Sequence, residues 1–90
     1  MWVARTGSES RVKDLLASLA EETRREVGCL QYLVHQGVDD PASFYLYEVY
    51  RDADALSVHN QSDHFKRLVL VEAAPLLESR QRQELNLLEI

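Results

Sequence analysis

The chain has 90 residues, 46% of them hydrophobic, and a formal net charge of −5 without any lysine or arginine run, which disfavours nucleic-acid binding. This length predicts one domain over residues 1–90, with more apolar material than a small monomer easily buries. No apolar run approaches the roughly 20 residues that span a bilayer, and the single cysteine, Cys29, favours a reducing cytoplasm.

The N-terminal part of the chain predicts a strand followed by a helix. Residues 1–6, "MWVART", are typical of a short strand that ends at Gly7-Ser8. From Ser8 to Glu26 the apolar residues recur at every third or fourth position, as they do along one face of a helix. We assign the charged residues between them, including Glu26, to the solvated face, and Gly28 ends the helix.

A hairpin follows this helix. Residues 29–36, "CLQYLVHQ", and 43–50, "SFYLYEVY", are rich in β-branched and aromatic residues, as strands are. The segment between them, "GVDDPA", contains Asp-Asp-Pro, which is typical of turns. We therefore predict two antiparallel strands joined by a moderately long loop.

The C-terminal half predicts two helices and a last strand. Asp52 is placed to cap a short helix that runs to His59, and Ser62 is placed to cap another that ends before Pro75. Residues 84–90, "ELNLLEI", read as the last strand. The order β-α-β-β-α-α-β indicates an α+β fold of the ferredoxin-like, split βαβ type, with an antiparallel sheet.

The strand at 43–50 predicts a sheet with two apolar faces. Successive side chains of a strand point to opposite faces, and the helices of this topology cover only one of them. A large apolar face is not normally left exposed, so we predict a homodimer packed sheet on sheet. The helix side carries Phe44, Leu46, Glu48 and Tyr50; the dimer face carries Tyr45, Tyr47 and Val49, with Tyr32 or its strand neighbours beside them.

Three segments resemble a known family. They are "EVGCLQY" (26–32), "DDPASFYLYEVYRDADAL" (39–56) and "HNQSDHF" (59–65), and together they are similar to the antibiotic biosynthesis monooxygenase domain of the dimeric α+β barrel superfamily. The resemblance implies a ferredoxin-like monomer, a barrel between two sheets, and a pocket between sheet and helices. Some members oxidise phenols or quinols with O₂ and use no metal, flavin or haem. "ARTGSES" (4–10) is shorter than the usual connection in the family.

Histidines and a glutamate are the candidate catalytic groups. Histidine suits proton transfer at neutral pH because its ordinary pKa is about 6.5. We assign His59 as the base, His64 as a second candidate, and Glu48 as the carboxylate that orients His59. The alternative remains open that His59 orders the junction between helices and that Glu48 makes a buried structural hydrogen bond. Ser62 and Asp63 are assigned to helix capping.

The predicted pocket is apolar and holds no metal or other cofactor. The spacing in "HNQSDH" is interrupted by a helix start and matches no common ligand motif. Haem degradation is disfavoured, because His59 occupies the position of the tryptophan in the haem-degrading relatives and the chain's only tryptophan is Trp2. The expected substrate-binding residues are Phe44, Leu46, Tyr50, Phe65 and Leu68.

The resemblance therefore implies a cofactor-independent monooxygenase acting on a quinol-like or phenolic aromatic small molecule. Two alternatives use the same scaffold. One is a small-molecule-binding or stress-response module without catalysis, and the other is an isomerase or lyase that uses the same base without O₂.

Overall fold

The computed structural model describes all of residues 1–90 and has the predicted α+β fold. Four strands form one antiparallel sheet in the order β2-β3-β1-β4, which confirms the ferredoxin-like topology. No helix is both long and apolar enough to cross a membrane. The elements are β1 (Trp2–Ala4), α1 (Glu9–Arg24), β2 (Cys29–Gln36), β3 (Ser43–Tyr50), α2 (Ala53–Asn60), α3 (Asp63–Phe65), a π-helical segment (Lys66–Ala73), a 3₁₀ turn (Ala74–Leu76) and β4 (Leu77–Arg80).

The last strand lies earlier in the chain than the sequence predicted. Arg80 of β4 pairs with Trp2 of β1, and the Gln81 N–H donates to the Met1 carbonyl at 2.9 Å. The ladder against β1 is therefore complete before the apolar tail begins. The prediction of a strand at residues 84–90 is wrong, and that segment has no regular structure. Its large apolar side chains are exposed: Leu85, Leu87, Leu88 and Ile90.

The hydrophobic core lies between the helices and one face of the sheet. The apolar face of α1 is buried against the strands, as its three-and-four spacing predicted. The π-helical segment packs beside α1 and contributes three buried residues. Thirteen buried residues make up this core: Trp2, Ala4, Val12, Leu15, Leu16, Leu19, Ala20, Tyr32, Phe44, Leu68, Val69, Ala73 and Leu77.

The other face of the sheet is uncovered. Tyr45 and Tyr47 of β3 are 49% and 51% exposed, and Leu33, which pairs with Tyr47, is 39% exposed. Tyr32 does not join them. It pairs with Glu48, so it points to the helix side and is only 2% exposed. The sequence placed Tyr32 or its strand neighbours on the outer face, and it is the neighbour Leu33 that lies there.

Candidate active site

A turn after α1 directs Glu26 into the protein. The helix ends at Arg24, and the Cys29 N–H donates to the Glu26 carbonyl at 3.1 Å. Gly28 in this turn lies so close to α2 that a Cβ atom would overlap the Cβ of Ala55, and only glycine permits the approach. The Glu26 side chain is consequently 11% exposed. Its predicted place on the solvated face is wrong, because the helical period no longer applies beyond Arg24.

Glu26 joins the two histidines of the "HNQSDHF" segment. Its Oε2 atom lies 2.8 Å from Nδ1 of His59 and 2.6 Å from Nε2 of His64. A carboxylate only accepts hydrogen bonds, so both ring nitrogens act as donors to it. The other oxygen, Oε1, is buried without a hydrogen-bond partner. The result is a polar cluster inside the protein, which we call the Glu26 cluster (Glu26, His59 and His64).

Capped helix ends hold both histidines in place. His59 lies in the last turn of α2, whose start is capped by Asp52, and the Ala55 N–H donates to Asp52 Oδ1 at 2.8 Å. Ser62 caps α3: its hydroxyl accepts from the Phe65 N–H at 3.2 Å and donates to the His59 carbonyl at 2.7 Å. Ser62 therefore links the end of one helix to the start of the next and sets the relative position of the two rings.

Glu48 lies on the other side of the His59 ring. Its Oε1 atom is 3.7 Å from Nε2 of His59, which is too long for a hydrogen bond, and it accepts one from the Tyr50 hydroxyl at 2.7 Å. The structure thus brings the three predicted catalytic residues His59, His64 and Glu48 together. The carboxylate that hydrogen-bonds His59, however, belongs to Glu26. Nε2 of His59 has no hydrogen-bond partner.

Burial and nearby negative charge raise the pKa values of two tyrosines and one cysteine around Glu48, which keeps all three side chains neutral. Burial, the hydrogen bond to Glu48 and the Glu48 charge raise the pKa of Tyr50. Burial, followed by the charge of Glu48, also raises the pKa of Tyr32. Burial and the charge of Glu26 raise the pKa of the Cys29 thiol, which makes Cys29 a poor thiolate. Tyr50 is therefore a hydrogen-bond donor at neutral pH.

The predicted pocket residues fall into two groups. Phe44 and Leu68 are 1% and 5% exposed and are enclosed in the core. Tyr50 and Phe65 surround His59, each with its ring centroid 5.2 Å from the imidazole. Leu46, partly buried, packs against the core. Phe65 also lines a cavity of about 300 Å³ together with Asn60, Arg80 and Arg82.

The donor atoms of the Glu26 cluster form a set that a divalent cation could use. One carboxylate oxygen and two ring nitrogens lie within 4.8 Å of one another. A cation requires all three at about 2.0–2.2 Å from one point, whereas here Glu26 Oε2 lies directly against both nitrogens at hydrogen-bond distance. A cation would displace both hydrogen bonds. In the structure these atoms make hydrogen bonds to one another, and a cation would take the place of the two N–H protons.

Sequence reasoning missed Glu26 although a signal for it was present. Gly28 was recognised as a helix stop, and a residue two positions before such a stop lies in the turn rather than on a helix face. Glu26 also opens the segment "EVGCLQY" (26–32) that carries the family resemblance. Glu26 and His59 are 33 residues apart in the chain, so no local pattern indicates their contact.

Comparisons with known proteins agree with the fold. The profile of a family described as "Antibiotic biosynthesis monooxygenase" matches residues 1–69. PA3566 from Pseudomonas aeruginosa is 35% identical, with 87% of this chain and 78% of that chain covered and a TM-score of 0.81. A crystal structure described as an antibiotic biosynthesis monooxygenase is 29% identical, with 88% and 82% covered and a TM-score of 0.81. A conserved protein from Methanosarcina mazei Go1 is also 29% identical, with 88% and 77% covered and a TM-score of 0.80.

No protein in the curated set matches the chain at a significant level. The profile match nevertheless extends through the first three strands, through both capped helix starts and through Glu26, His59 and His64. The chain belongs to the antibiotic biosynthesis monooxygenase family.

Proposed function

We propose that the protein is a monooxygenase that oxidises a quinol-like or phenolic aromatic small molecule with O₂ and needs no cofactor. The observation that carries the proposal is the buried imidazole of His59, which is held at Nδ1 by Glu26 and leaves Nε2 unbonded. With Nδ1 as the donor, Nε2 is the basic atom. We place this activity in the cytoplasm, because the lone Cys29 is a free thiol.

The chemistry balances without any further reductant. The base removes the phenolic proton, and the phenolate transfers one electron to O₂. The resulting radical and superoxide combine at a ring C–H carbon to a peroxide anion, which takes back the proton from the protonated base and becomes a hydroperoxide. Loss of the proton from that carbon and cleavage of the O–O bond then give a quinone and water. One phenol and one O₂ yield one quinone and one H₂O, so the substrate supplies all the electrons.

Each residue around His59 has a defined role in this proposal. The His59 side chain is 3% exposed and that of Glu48 is 24% exposed, so a ligand meets Glu48 and Tyr50 first. Glu48 and Tyr50 would orient the ligand hydroxyl toward Nε2. His64 donates to the same oxygen of Glu26 as His59 does, and it thereby fixes the direction of the carboxylate. Leu46 and Phe65 would supply apolar contacts.

Oxygen uptake tests the proposal directly. Metal-stripped protein would be mixed with a panel of quinols and hydroxylated anthracene-type compounds, alongside His59→Ala. The matched control is Val58→Ala, the residue before His59 in α2, whose side chain is 63% exposed. We expect uptake above the spontaneous rate, a loss of about 100-fold or more in His59→Ala, and no change in Val58→Ala.

Two outcomes would contradict this function. Equal rates in His59→Ala and the unchanged protein would remove His59 as the base. An absence of uptake across the whole panel would favour a ligand-binding module without oxygen chemistry.

We also propose that the protein is a homodimer with a barrel between the two sheets. The uncovered outer face, which presents Tyr45, Tyr47 and Leu33, supports it. Val49 lies on the same face and is partly buried. The apolar side chains of the 84–90 tail add to the surface that a second copy would cover.

Sedimentation at micromolar concentration tests the dimer. We expect the mass of two chains for the unchanged protein and of one chain for Tyr47→Asp, because a charge would be buried in the interface. Val58→Asp is the matched control, since Val58 is 63% exposed on α2, away from the sheet face. A monomer in the unchanged protein would refute the dimer.

A further inference from the structure

The cavity beside Phe65 is lined mainly by cationic and polar groups. Its volume is about 300 Å³, and its walls are Asn60, Phe65, Arg80 and Arg82. This composition differs from the apolar pocket that the sequence predicts. Two guanidinium groups at one cavity are also unexpected in a chain whose net charge is −5.

The position of Arg80 in the sheet places it on the same side as the Glu26 cluster. Arg80 pairs with Trp2, which is 5% exposed beneath the helices, and cross-strand partners point to the same face. The Arg80 guanidinium lies over the Phe65 ring, 5.9 Å from its centroid. The cavity therefore opens on the helix side and stays free if a second copy covers the outer face.

The positive charge at this cavity is incompletely compensated. Arg80 takes part in none of the ion pairs of the protein. Arg82 donates to Asn60 Oδ1 at 3.0 Å and lies 3.9 Å from a carboxylate oxygen of the exposed Glu84. The amide oxygen of Asn60 is thus occupied, which leaves its NH₂ group as a further donor. An anion is the ligand that such a set of donors accepts.

The cavity adjoins the proposed catalytic network through the Phe65 ring. Asn60 directly follows His59 in α2. The Phe65 ring forms one wall of the cavity and meets the His59 ring edge-on, with centroids 5.2 Å apart at 70°. The Phe65 ring therefore lies between a group bound in the cavity and the imidazole, and a substrate has to extend past this ring for its hydroxyl to reach Nε2.

We propose that Arg80 and Arg82 bind the anionic group of an aromatic acid, so that the ligand of this protein carries a carboxylate or phosphate group. Asn60 donates to the same group, and Phe65 contacts the ring. The volume is at the small end of ligand pockets, which suits the acid group and the part of the ligand next to it, while the phenolic ring extends past Phe65 toward His59. The inference deepens the proposed function, since it names the class of its substrate, and it rests on that function only for the reaction itself.

Direct binding tests this site without any need for turnover. Benzoate, phenyl phosphate and the neutral benzyl alcohol would be titrated separately into the full chain and followed by calorimetry and by amide NMR shifts. The two acids are the arms that distinguish a carboxylate from a phosphate. We expect at least one acid to bind about tenfold more tightly than the alcohol, with shifts at Asn60 and Phe65.

The variants are Arg80→Gln and Arg82→Gln, with Arg67→Gln as a control that removes the same charge from an exposed residue of the π-helical segment. We expect each of the first two to weaken acid binding about tenfold and the third to leave it unchanged. Equal binding of acid and alcohol would overturn the site, as would equal weakening in all three variants.

Failure here is distinguishable from failure of the proposed function. Oxygen uptake with neutral quinols, together with no acid binding, would overturn the anion site and leave the monooxygenase intact. Acid binding that depends on Arg80, without oxygen uptake on any compound, would overturn the monooxygenase and leave the anion site intact.

Discussion

The two faces of β3 differ in a way that is unusual for a small protein. On the helix side, Glu48 and Tyr50 join His59 in a polar network that is largely shielded from water. On the outer side, Tyr45 and Tyr47 are half exposed to solvent. Titratable groups are normally outside and aromatic groups inside. On its helix side the strand thus adds a titratable pair to the apolar Phe44 and Leu46, which lie in or against the core, and on its outer side it leaves aromatic side chains in solvent.

Each face of β3 lacks a different binding partner. The buried Glu26 carboxylate and His59 imidazole are tolerated because Oε2 and Nδ1 hydrogen-bond each other. Oε1 of Glu26 and Nε2 of His59 remain unbonded, and Nε2 is the basic atom available for chemistry. Exposed aromatic side chains have no such partner within the chain. We infer that the helix side binds a small ligand and that the outer side binds a second protein surface.

The largest expected effect is a difference in stability between variants of Phe44 and of its neighbour Tyr45, because the two side chains lie on opposite faces of β3. Phe44 is 1% exposed and Tyr45 is 49% exposed. Phe44→Ala should cost about 3–5 kcal/mol in the free energy of unfolding at any protein concentration, because it leaves a cavity in the core. Tyr45→Ala should cost most where the dimer is populated.

Urea unfolding of both variants at two protein concentrations, about a hundredfold apart, measures this difference. A loss for Tyr45→Ala that is the same at both concentrations would mean that the outer face is not an interface.

A double-mutant cycle between Glu26 and His59 measures the polar network. Glu26→Ala leaves Nδ1 of His59 without an acceptor, and His59→Ala leaves Glu26 with His64 as its one remaining donor, so we expect a coupling of about 1–3 kcal/mol in the free energy of unfolding. The control pair is Glu21 of α1 and Arg25 directly after its end, two exposed residues whose charged groups are 3.0 Å apart. Their coupling should stay below about 0.5 kcal/mol. Equal couplings would show that the Glu26 cluster is no stronger than a surface ion pair.

Loss of the Ser62 cap should have a smaller effect. Ser62→Ala removes both the cap of α3 and the hydrogen bond to the His59 carbonyl. We expect the free energy of unfolding to fall by about 1 kcal/mol, measured by thermal denaturation. Ser18→Ala, at an exposed position in α1, is the control and should cost nothing, since alanine is the better helix former. A similar loss in both variants would exclude a special role for Ser62.

The smallest effect concerns Asp52 and acid pH. The hydrogen bond from the Ala55 N–H lowers the pKa of Asp52 below its ordinary value of about 3.9. Its folded pKa is depressed, so its contribution to stability is present above the unfolded pKa and is lost as the pH falls through the folded pKa. Asp52→Asn keeps a capping side chain but cannot titrate. We expect a slightly shallower loss of stability below about pH 4, measured by unfolding across pH, and an unchanged slope would contradict it.

Local patterns predicted much of this fold. The strands at 29–36 and 43–50 and the caps Asp52 and Ser62 were placed correctly, because alternation and capping depend on a few neighbouring residues. The position of Glu48 on the helix side followed from the same alternation. The catalytic role of His59, His64 and Glu48 stays a prediction.

Contacts between distant segments could not be predicted in the same way. Local sequence patterns were enough to place the first three strands and the helix starts, to show which side chains of β3 share a face, and to indicate that one sheet face would be apolar and uncovered. Three features became visible only in the tertiary structure. Glu26 contacts His59 and His64, Tyr32 faces the helices, and β4 rather than the tail completes the sheet. Those outcomes depend on strand register and on the close approach at Gly28, which bring together residues far apart in the chain.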